Sequence, residues 1–421
     1  MSEIVKSKGL LSIAVLGSGN VIGTVISAIA IILFSRFMGP SEFGLFSAAI
    51  AAMQIVVRLT DMGTNMATER ALARAYGRDQ RLADRLVRVG FWLKIVTFIL
   101  VSSAGWVLAP WISLSLLHIE NIAIIRTALL ISAGTIFFEY TTILFQSSHR
   151  FAMVARITIA QAIGKLGFGL LLIWQGALTG MTALLVYGLM PGIGALLGWF
   201  KSPLSSVSLP STWSKDLKTI LSVAKWTGIA AVSATLADNI DTLMVQSFMT
   251  SYDTGIWSGA ARIAAFGSIV GWSIGSVLSN RVARYKDPQH LRVYMSKAWK
   301  ISILSLVVLC LAIPLAKISI MLTIGSAYLP AIVPLQILLV SAGLAAAASP
   351  YSALFYLFDR PEYYAIAGII STVALLAGDY FLIPLYGLNG AAYVRVGVKI
   401  LVLLFTIIYS KFAYEKHLHT H

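Results

Sequence analysis

Residues 37–49 read Phe-Met-Gly-Pro-Ser-Glu-Phe-Gly-Leu-Phe-Ser-Ala-Ala, and residues 248–260 read Phe-Met-Thr-Ser-Tyr-Asp-Thr-Gly-Ile-Trp-Ser-Gly-Ala. Phe37 and Phe248, Met38 and Met249, Glu42 and Asp253, Gly44 and Gly255, and Ser47 and Ser258 all align at one separation, 211 residues (248 less 37). That is half of a 421-residue chain. Ile-Ser-Ala-Gly at 131–134 is echoed by Val-Ser-Ala-Gly at 340–343, and His149-Arg150 by Asp359-Arg360, at nearly the same spacing. Matches at a nearly constant half-length offset point to a duplicated unit, hence two related halves of about six helices each.

Working outward from the repeat, the chain is 58% hydrophobic and only 12% charged. Soluble domains carry roughly 25% charged residues. A bilayer core takes about 20 apolar residues of helix. Stretches of that kind recur at roughly 10–35, 42–60, 90–116, 122–147, 151–174, 179–200, 219–248, 254–280, 297–322, 329–358, 361–386 and 388–411. The expectation is an all-α polytopic membrane protein with about twelve transmembrane helices in two repeat-related six-helix bundles. The N-terminal bundle takes 1–200, a Ser-rich linker with Pro203 and Pro210 takes 201–218, and the C-terminal bundle takes 219–421. The first apolar stretch is too long for a signal-peptide core and reads as a retained span. Cys310, the single cysteine, excludes a disulfide framework.

A formal charge of +15 would suggest nucleic acid in a soluble protein. Here its placement orients the chain instead. Lys and Arg crowd the N-terminus and the even-numbered loops, while the opposite loops hold only Arg36, Arg126 and Lys317. By the positive-inside rule both termini are cytoplasmic, and nucleic acid is not an expected partner. In 64–89, arginines from Arg70 to Arg88 recur at three- and four-residue spacing with leucines between them, the pattern of an interfacial helix turned to lipid headgroups. The segment 280–300, with Arg281, Arg284, Lys286 and Arg292, reads as its counterpart.

Six basic residues fall within the apolar stretches: Arg58, Lys94, Lys165, Arg262, Arg395 and Lys399. Each costs about 2.5–3.5 kcal/mol at a span centre on insertion scales, so most should face a polar interior or a partner. Lys94, near a span end, reads as snorkelling to the interface. Arg58 and Arg262 favour a cavity role over pairing with an acid; Lys165 and the i, i+4 pair Arg395 and Lys399 leave the two readings open. A cationic lumen suits an anionic cargo such as phosphate. Acids within spans are Asp61, Glu139, Asp238, Asp241 and Asp379. Asp238 and Asp241, at i, i+3, share one helix face; they read either as an ion- or proton-coupling site or as counter-charges to Arg262 or Lys165.

Gly17, Gly19 and Gly23, and likewise Gly164, Gly167 and Gly169, have the spacing of close helix packing. Trp106, Trp111, Trp199, Trp213 and Trp226 lie near span ends as interfacial anchors, whereas Trp174, Trp257 and Trp272 suit either packing or stacking on sugars. The chain carries no Walker-type loop, His-Glu-x-x-His, Gly-x-Ser-x-Gly or Cys/His cluster, and His417, His419 and His421 sit in a terminal tail. The expectation is a protein that is not an enzyme and uses no metal or cofactor.

Four stretches resemble the polysaccharide-transport branch of the multidrug/oligosaccharidyl-lipid/polysaccharide exporter superfamily, which includes O-antigen-type flippases. They are Gly-Pro-Ser-Glu-Phe-Gly-Leu-Phe-Ser at 39–47, Asp-Met-Gly at 61–63 with Arg70 downstream, Asp241 through Gly255, Ser258, Ala260 and Arg262, and Ile-Pro-Leu-Tyr-Gly-Leu-Asn-Gly-Ala-Ala at 383–392. The resemblance runs over nearly the whole chain. It implies two six-helix bundles around a central cavity in the bacterial inner membrane. The implied activity is alternating access that moves an undecaprenyl-diphosphate-linked oligosaccharide from the cytoplasmic to the periplasmic leaflet for O-antigen or exopolysaccharide synthesis. It also implies cationic cavity residues for the diphosphate, in keeping with Arg58 and Arg262. Where family members often have Asn five residues before the motif's proline, this chain has Asp379. Expected partners are the lipid-linked oligosaccharide and membrane lipids, with a proton or sodium as coupling ion and a polymerase and glycosyltransferases as companions. Two alternatives stand beside this reading: a cation-coupled drug or metabolite exporter on the same fold, and a membrane-embedded glycosyltransferase or polymerase.

Overall fold

The computed structural model describes residues 2–201, 208, 210, 213–282, 288–357 and 362–420. Side chains are described from Ser18 to Ser410, apart from 202–207, 268–293, 355–362 and scattered single positions such as Trp226. Half of the 201–218 linker, and the side chains of Arg281, Arg284, Lys286, Arg292, Trp272 and the terminal histidines, therefore lie outside the described set.

The described residues are almost entirely helical. In chain order they form α1 (Ser2–Asp61), α2 (Thr64–Ala75), α3 (Gln80–Trp111), α4 (Ile122–Ser147), α5 (Phe151–Trp174) and α6 (Gly180–Trp199). There follow α7 (Trp213–Phe248), α8 (Ser251–Val282), α9 (Pro288–Cys310), α10 (Ala316–Thr323), α11 (Ile332–Leu357) and α12 (Glu362–Thr420). Eight of the described helices are long and apolar enough to cross a membrane, and a ninth span is α7 with its 57° bend. α1 and α12, with 44 and 46 residues in the qualifying stretches, are about twice the length one crossing needs. Both are pairs of spans joined at a kink. Counting each as two, and adding α8, reaches the twelve spans expected.

Local chemistry sets those kinks. In α1, Gly39 takes φ 75° and Pro40 follows it. Only glycine visits that region without a Cβ penalty, and proline cannot continue the hydrogen-bond ladder. The second copy of the repeat breaks at the same place by other means. Thr250 separates α7 from α8; its Oγ1 accepts from the Asp253 N–H at 3.2 Å, and the Asp253 carboxylate accepts from the Thr250 N–H at 3.2 Å. That reciprocal pair is a capping box. In α12 the break falls at Gly387, φ 57°, three residues after Pro384.

The chain separates into two compact units. Unit 1 comprises 1–38 and 48–235; unit 2 comprises 39–47 and 236–421. Within unit 1, α5 packs on the first half of α1 through small residues. A Cβ on Gly19 would run into Ala155, one on Gly23 into Thr158, and one on Gly169 into the Phe34 ring. Gly164 lies against Met190, whereas Gly167 faces open space. α4 and α6 approach equally closely, Gly134 meeting Gly188 and Gly192. These contacts are the small-residue packing that lets apolar helices associate where lipid offers no hydrophobic gain.

The segment 64–89 is not one continuous helix. It forms two helices, α2 and the start of α3, with the Asp79 carboxylate capping α3 through the Leu82 N–H at 2.9 Å. Leu72 and Leu86 of its leucine stripe are buried within the unit, and Leu82 is partly buried. Leu72, Ala75, Ala83, Leu86 and Val87 join Tyr140 and Leu144 of α4 and Ile220 and Ala224 of α7 in one core cluster. Tyr140 donates to the Val87 carbonyl at 2.5 Å, which fixes α3 against α4. Arg70, Arg74, Arg78 and Arg81 remain exposed, and Arg85 pairs with Asp216 at 3.2 Å.

Candidate functional site

In unit 1 the site is built on the Asp-Met-Gly turn. Met62 and Gly63 take φ 40° and 77° and send the chain sharply from α1 into α2. A side chain at Gly63 would collide with the backbone at Gly228, so glycine is required there. Asp61 then satisfies the open start of α2, its carboxylate accepting from the Asn65 N–H at 2.9 Å and the Gly63 N–H at 3.2 Å. Those N–H groups have no partner within their own helix.

Lys94 of α3 closes the arrangement. It is 1% exposed, and its ammonium donates to Asp61 Oδ1 at 2.5 Å and Thr64 Oγ1 at 2.6 Å. The snorkelling expected of Lys94 does not occur: its ammonium is held inward by Asp61 and Thr64, at the turn from α1 into α2. On the neighbouring face Arg58 meets Glu139 of α4 at 2.5 Å, with Asp61 4.0 Å away on its other side. Asn65 Nδ2 lies 3.4 Å from the second Glu139 oxygen. Sequence reasoning set cavity and counter-ion roles for Arg58 against each other; in the folded chain Arg58 does both. It also lines a cavity of about 300 Å³ with Asn65, Glu69, Glu139, Thr142 and Thr227.

A second charged group belongs to unit 2. Arg395 of α12 donates through Nε to Asp241 of α7, and its terminal nitrogen reaches the carbonyls of Ala237, at 3.2 Å, and Asp238, at 3.4 Å. Asp241 and Asp379 are fully buried. Asp379 lies beside Asp241, within hydrogen-bond reach of its carboxyl, and no other group among the described residues donates to either Asp379 oxygen or to Oδ1 of Asp241. Asp238 and Asp241 therefore part company despite their i, i+3 spacing: Asp238 is exposed, and Asp241 is committed to Arg395. Lys399, one turn on from Arg395, is half-buried and makes no ion pair among the described residues.

The remaining sequence-derived candidates stand apart from these two groups. Lys165, mid-way along α5, is 7% exposed, with its ammonium 4.2 Å from the centre of the Tyr187 ring and no carboxylate partner among the described residues. A cation over an aromatic face recovers part of its lost hydration. Arg262 of α8 is half-buried and likewise has no ion-pair partner among the described residues. Of the tryptophans that suited packing or stacking, Trp257 is buried in unit 2 and Trp174 is exposed.

Sequence reading missed Asn65, Glu69 and Lys94. The signal for Asn65 was its place one helical turn after Asp61. Glu69 falls one turn further on the same stripe, at i+8 from Asp61, and burial raises its carboxyl above the ordinary range. A second cavity, about 620 Å³, lies between α3, α4 and α6 and is apolar, walled by Leu130, Phe137, Leu196 and Trp199. It occupies the opposite face of α4 from Glu139.

Known proteins of similar sequence and shape agree with this architecture. A protein of Haloferax volcanii (strain ATCC 29605), described as "Probable low-salt glycan biosynthesis flippase Agl15", is 22% identical over 380 residues, 89% of this chain and 77% of its own. The chain superposes on an inward-facing multidrug resistance MATE family transporter of the MOP superfamily with a TM-score of 0.77 at 14% identity, covering 96% of this chain and 99% of that one. It superposes on the lipid II flippase MurJ, inward closed conformation, with a TM-score of 0.73 at 13% identity, covering 95% and 89%. At such identities the likeness establishes the fold. The profile of the family described as "Polysaccharide biosynthesis protein" matches residues 10–278, more than half of the chain, and the chain belongs to that family.

Proposed function

We propose that this protein is a flippase that carries a lipid-linked oligosaccharide across the membrane by alternating access, for surface polysaccharide synthesis. Family membership and the flippase name carried by the Haloferax volcanii relative support that reading. In the form expected from sequence, the cargo is an undecaprenyl-diphosphate-linked oligosaccharide. It moves from the cytoplasmic to the periplasmic leaflet of a bacterial inner membrane, with both termini of the protein cytoplasmic. The two bundles, 1–200 and 219–421, are the moving parts, and the protein is a transporter and not an enzyme.

The observation that carries the reading is the uneven neutralisation of the intramembrane cations. Arg58 and Arg395 are each tied to a carboxylate, whereas Lys165, Arg262 and Lys399 have none among the described residues. An unmatched cation within a span is costly to keep. Phosphate oxygens would supply the missing counter-charge while the prenyl chain stays in lipid. Lys165 in unit 1, and Arg262 and Lys399 in unit 2, are each assigned as a phosphate contact of the cargo within their own unit. Asp61, Asp238, Asp241 and Asp379, together with Glu139, serve charge pairing or the coupling ion, whether proton or sodium.

The test is transport by purified protein in liposomes loaded with a prenyl-diphosphate oligosaccharide. A flippase exposes inner-leaflet cargo to an external glycosidase and leaves the lipid chemically unchanged. Covalent transfer of sugar by the purified protein would instead support a glycosyltransferase. The drug-exporter alternative keeps one supporting observation, the carboxylate-rich lining of the cavity beside Arg58. It would appear as uptake of organic cations with no movement of the glycolipid.

A further inference from the structure

The cavity beside Arg58 has the wrong charge for a phosphate. Its ionisable lining is one guanidinium, Arg58, against three carboxylates, Asp61, Glu69 and Glu139. Arg58 is already spent on Glu139 at 2.5 Å, and Lys94 behind the wall is spent on Asp61 at 2.5 Å. An incoming diphosphate would find no free cation there and would meet like charge at close range, which disfavours binding.

What the cavity does offer is dense, mixed hydrogen bonding. Asn65 is 8% exposed and lines the cavity, its Nδ2 donating to Glu139 at 3.4 Å. Glu69 supplies acceptors, Arg58 retains donors beyond the one given to Glu139, and Thr142 and Thr227 bring hydroxyls. Met66, Ile143 and Ala231 add apolar wall. Donors and acceptors alternating around a partly apolar hollow match a ring that carries hydroxyls on its edge and C–H groups on its face. At about 300 Å³ the hollow is at the small end of ligand sites, which suits one or two such rings and not a longer chain.

We infer that this cavity is a sugar-binding subsite, holding an uncharged or amino-substituted pyranose of the cargo through Arg58, Asn65, Glu69 and Glu139, and that it does not hold the diphosphate. The inference rests on the flippase reading for its biological setting, but sugar binding can be measured without transport. The experiment is saturation-transfer NMR on the full chain in lipid nanodiscs. The probes are glucose, galactose, mannose, N-acetylglucosamine and glucosamine, each with and without inorganic pyrophosphate. Binding of at least one sugar is expected, weakened roughly fivefold by Asn65→Ala through the lost hydrogen bond and abolished by Met66→Trp, which fills the hollow. Pyrophosphate should not displace it. Binding of none of these sugars, binding indifferent to both variants, or displacement by pyrophosphate would overturn the subsite. The same proteins assayed for glycolipid movement separate the two ideas. Sugar binding without movement in the parent protein removes the flippase reading alone, and movement without sugar binding removes the subsite alone.

Discussion

Gly44 and Gly255 hold the same position in the two copies of the repeat, and they pack backbone against backbone. A Cβ on Gly44 would strike the Ser251 carbonyl and the Gly255 nitrogen, and a Cβ on Gly255 would strike the Pro40 carbonyl. The best-preserved stretch of the duplication is thus also the place where its copies touch, both within unit 2. Each copy needs a residue without a side chain because the other copy occupies the space.

Gly44→Val should therefore destabilise the protein by about 1–3 kcal/mol, the usual cost of overpacking. Gly167→Ala, at a glycine with nothing within 4 Å, should be neutral or slightly stabilising through helix propensity. Thermal unfolding in one detergent checks the contrast. Equal melting temperatures for both variants would refute the contact.

Lys94 and Asp61 form the most enclosed ion pair among the described residues of unit 1, with side chains 1% and 7% exposed. Breaking such a pair from one side leaves a buried charge and typically costs 3–5 kcal/mol. Lys94→Met should lower stability by that order, and so should Asp61→Leu, which also removes the cap on α2. The double variant should fall well short of the sum, and a double-mutant cycle measures the shortfall. Strict additivity would mean that the two groups do not interact.

Asp379 has both carboxyl oxygens buried beside Asp241, with no other hydrogen-bonding group donating to them among the described residues. Asparagine keeps the shape and removes any need to ionise or to hold a proton there, so Asp379→Asn should leave stability unchanged or raise it at neutral pH. Loss of ion-driven transport in the same variant would place the coupling ion at Asp379; a strong loss of stability would show that the carboxylate is charged and matched.

Glu69 lies in α2, outside the spans, and burial raises its carboxyl above the ordinary 4.5. An acid raised in the folded state favours folding most below its unfolded value. That contribution is lost as pH climbs through the raised folded value. The parent protein should lose stability over that window, and Glu69→Gln should not, so the variant gains on the parent as pH rises from about 4 towards neutrality. Unfolding curves taken across that range decide the matter, and parallel pH profiles would contradict it.

The fold was legible because its signals are long-range and redundant. Apolar stretch length and the half-length repeat both point to the same helices. The sites were less so, because burial of a charge depends on what folds over it. Lys94 looked like a span-end lysine, but Asp61 and Thr64, at the turn into α2, hold its ammonium inward. Asp238 and Asp241 share a helix face by number, yet of the two carboxylates only that of Asp241 pairs with Arg395, a residue 154 positions away. Spacing along one helix carries no record of which neighbour arrives from another.

The central claim is that intramembrane cations without a carboxylate partner recognise the phosphate of a lipid-linked glycan. Transport of a prenyl-diphosphate oligosaccharide by reconstituted Lys165→Met, Arg262→Gln and Arg36→Gln proteins tests it most directly. The account predicts that the first two lose most of their activity while inserting and melting like the parent, and that Arg36→Gln, outside the apolar stretches, keeps it. Full activity in both Lys165→Met and Arg262→Gln would contradict it.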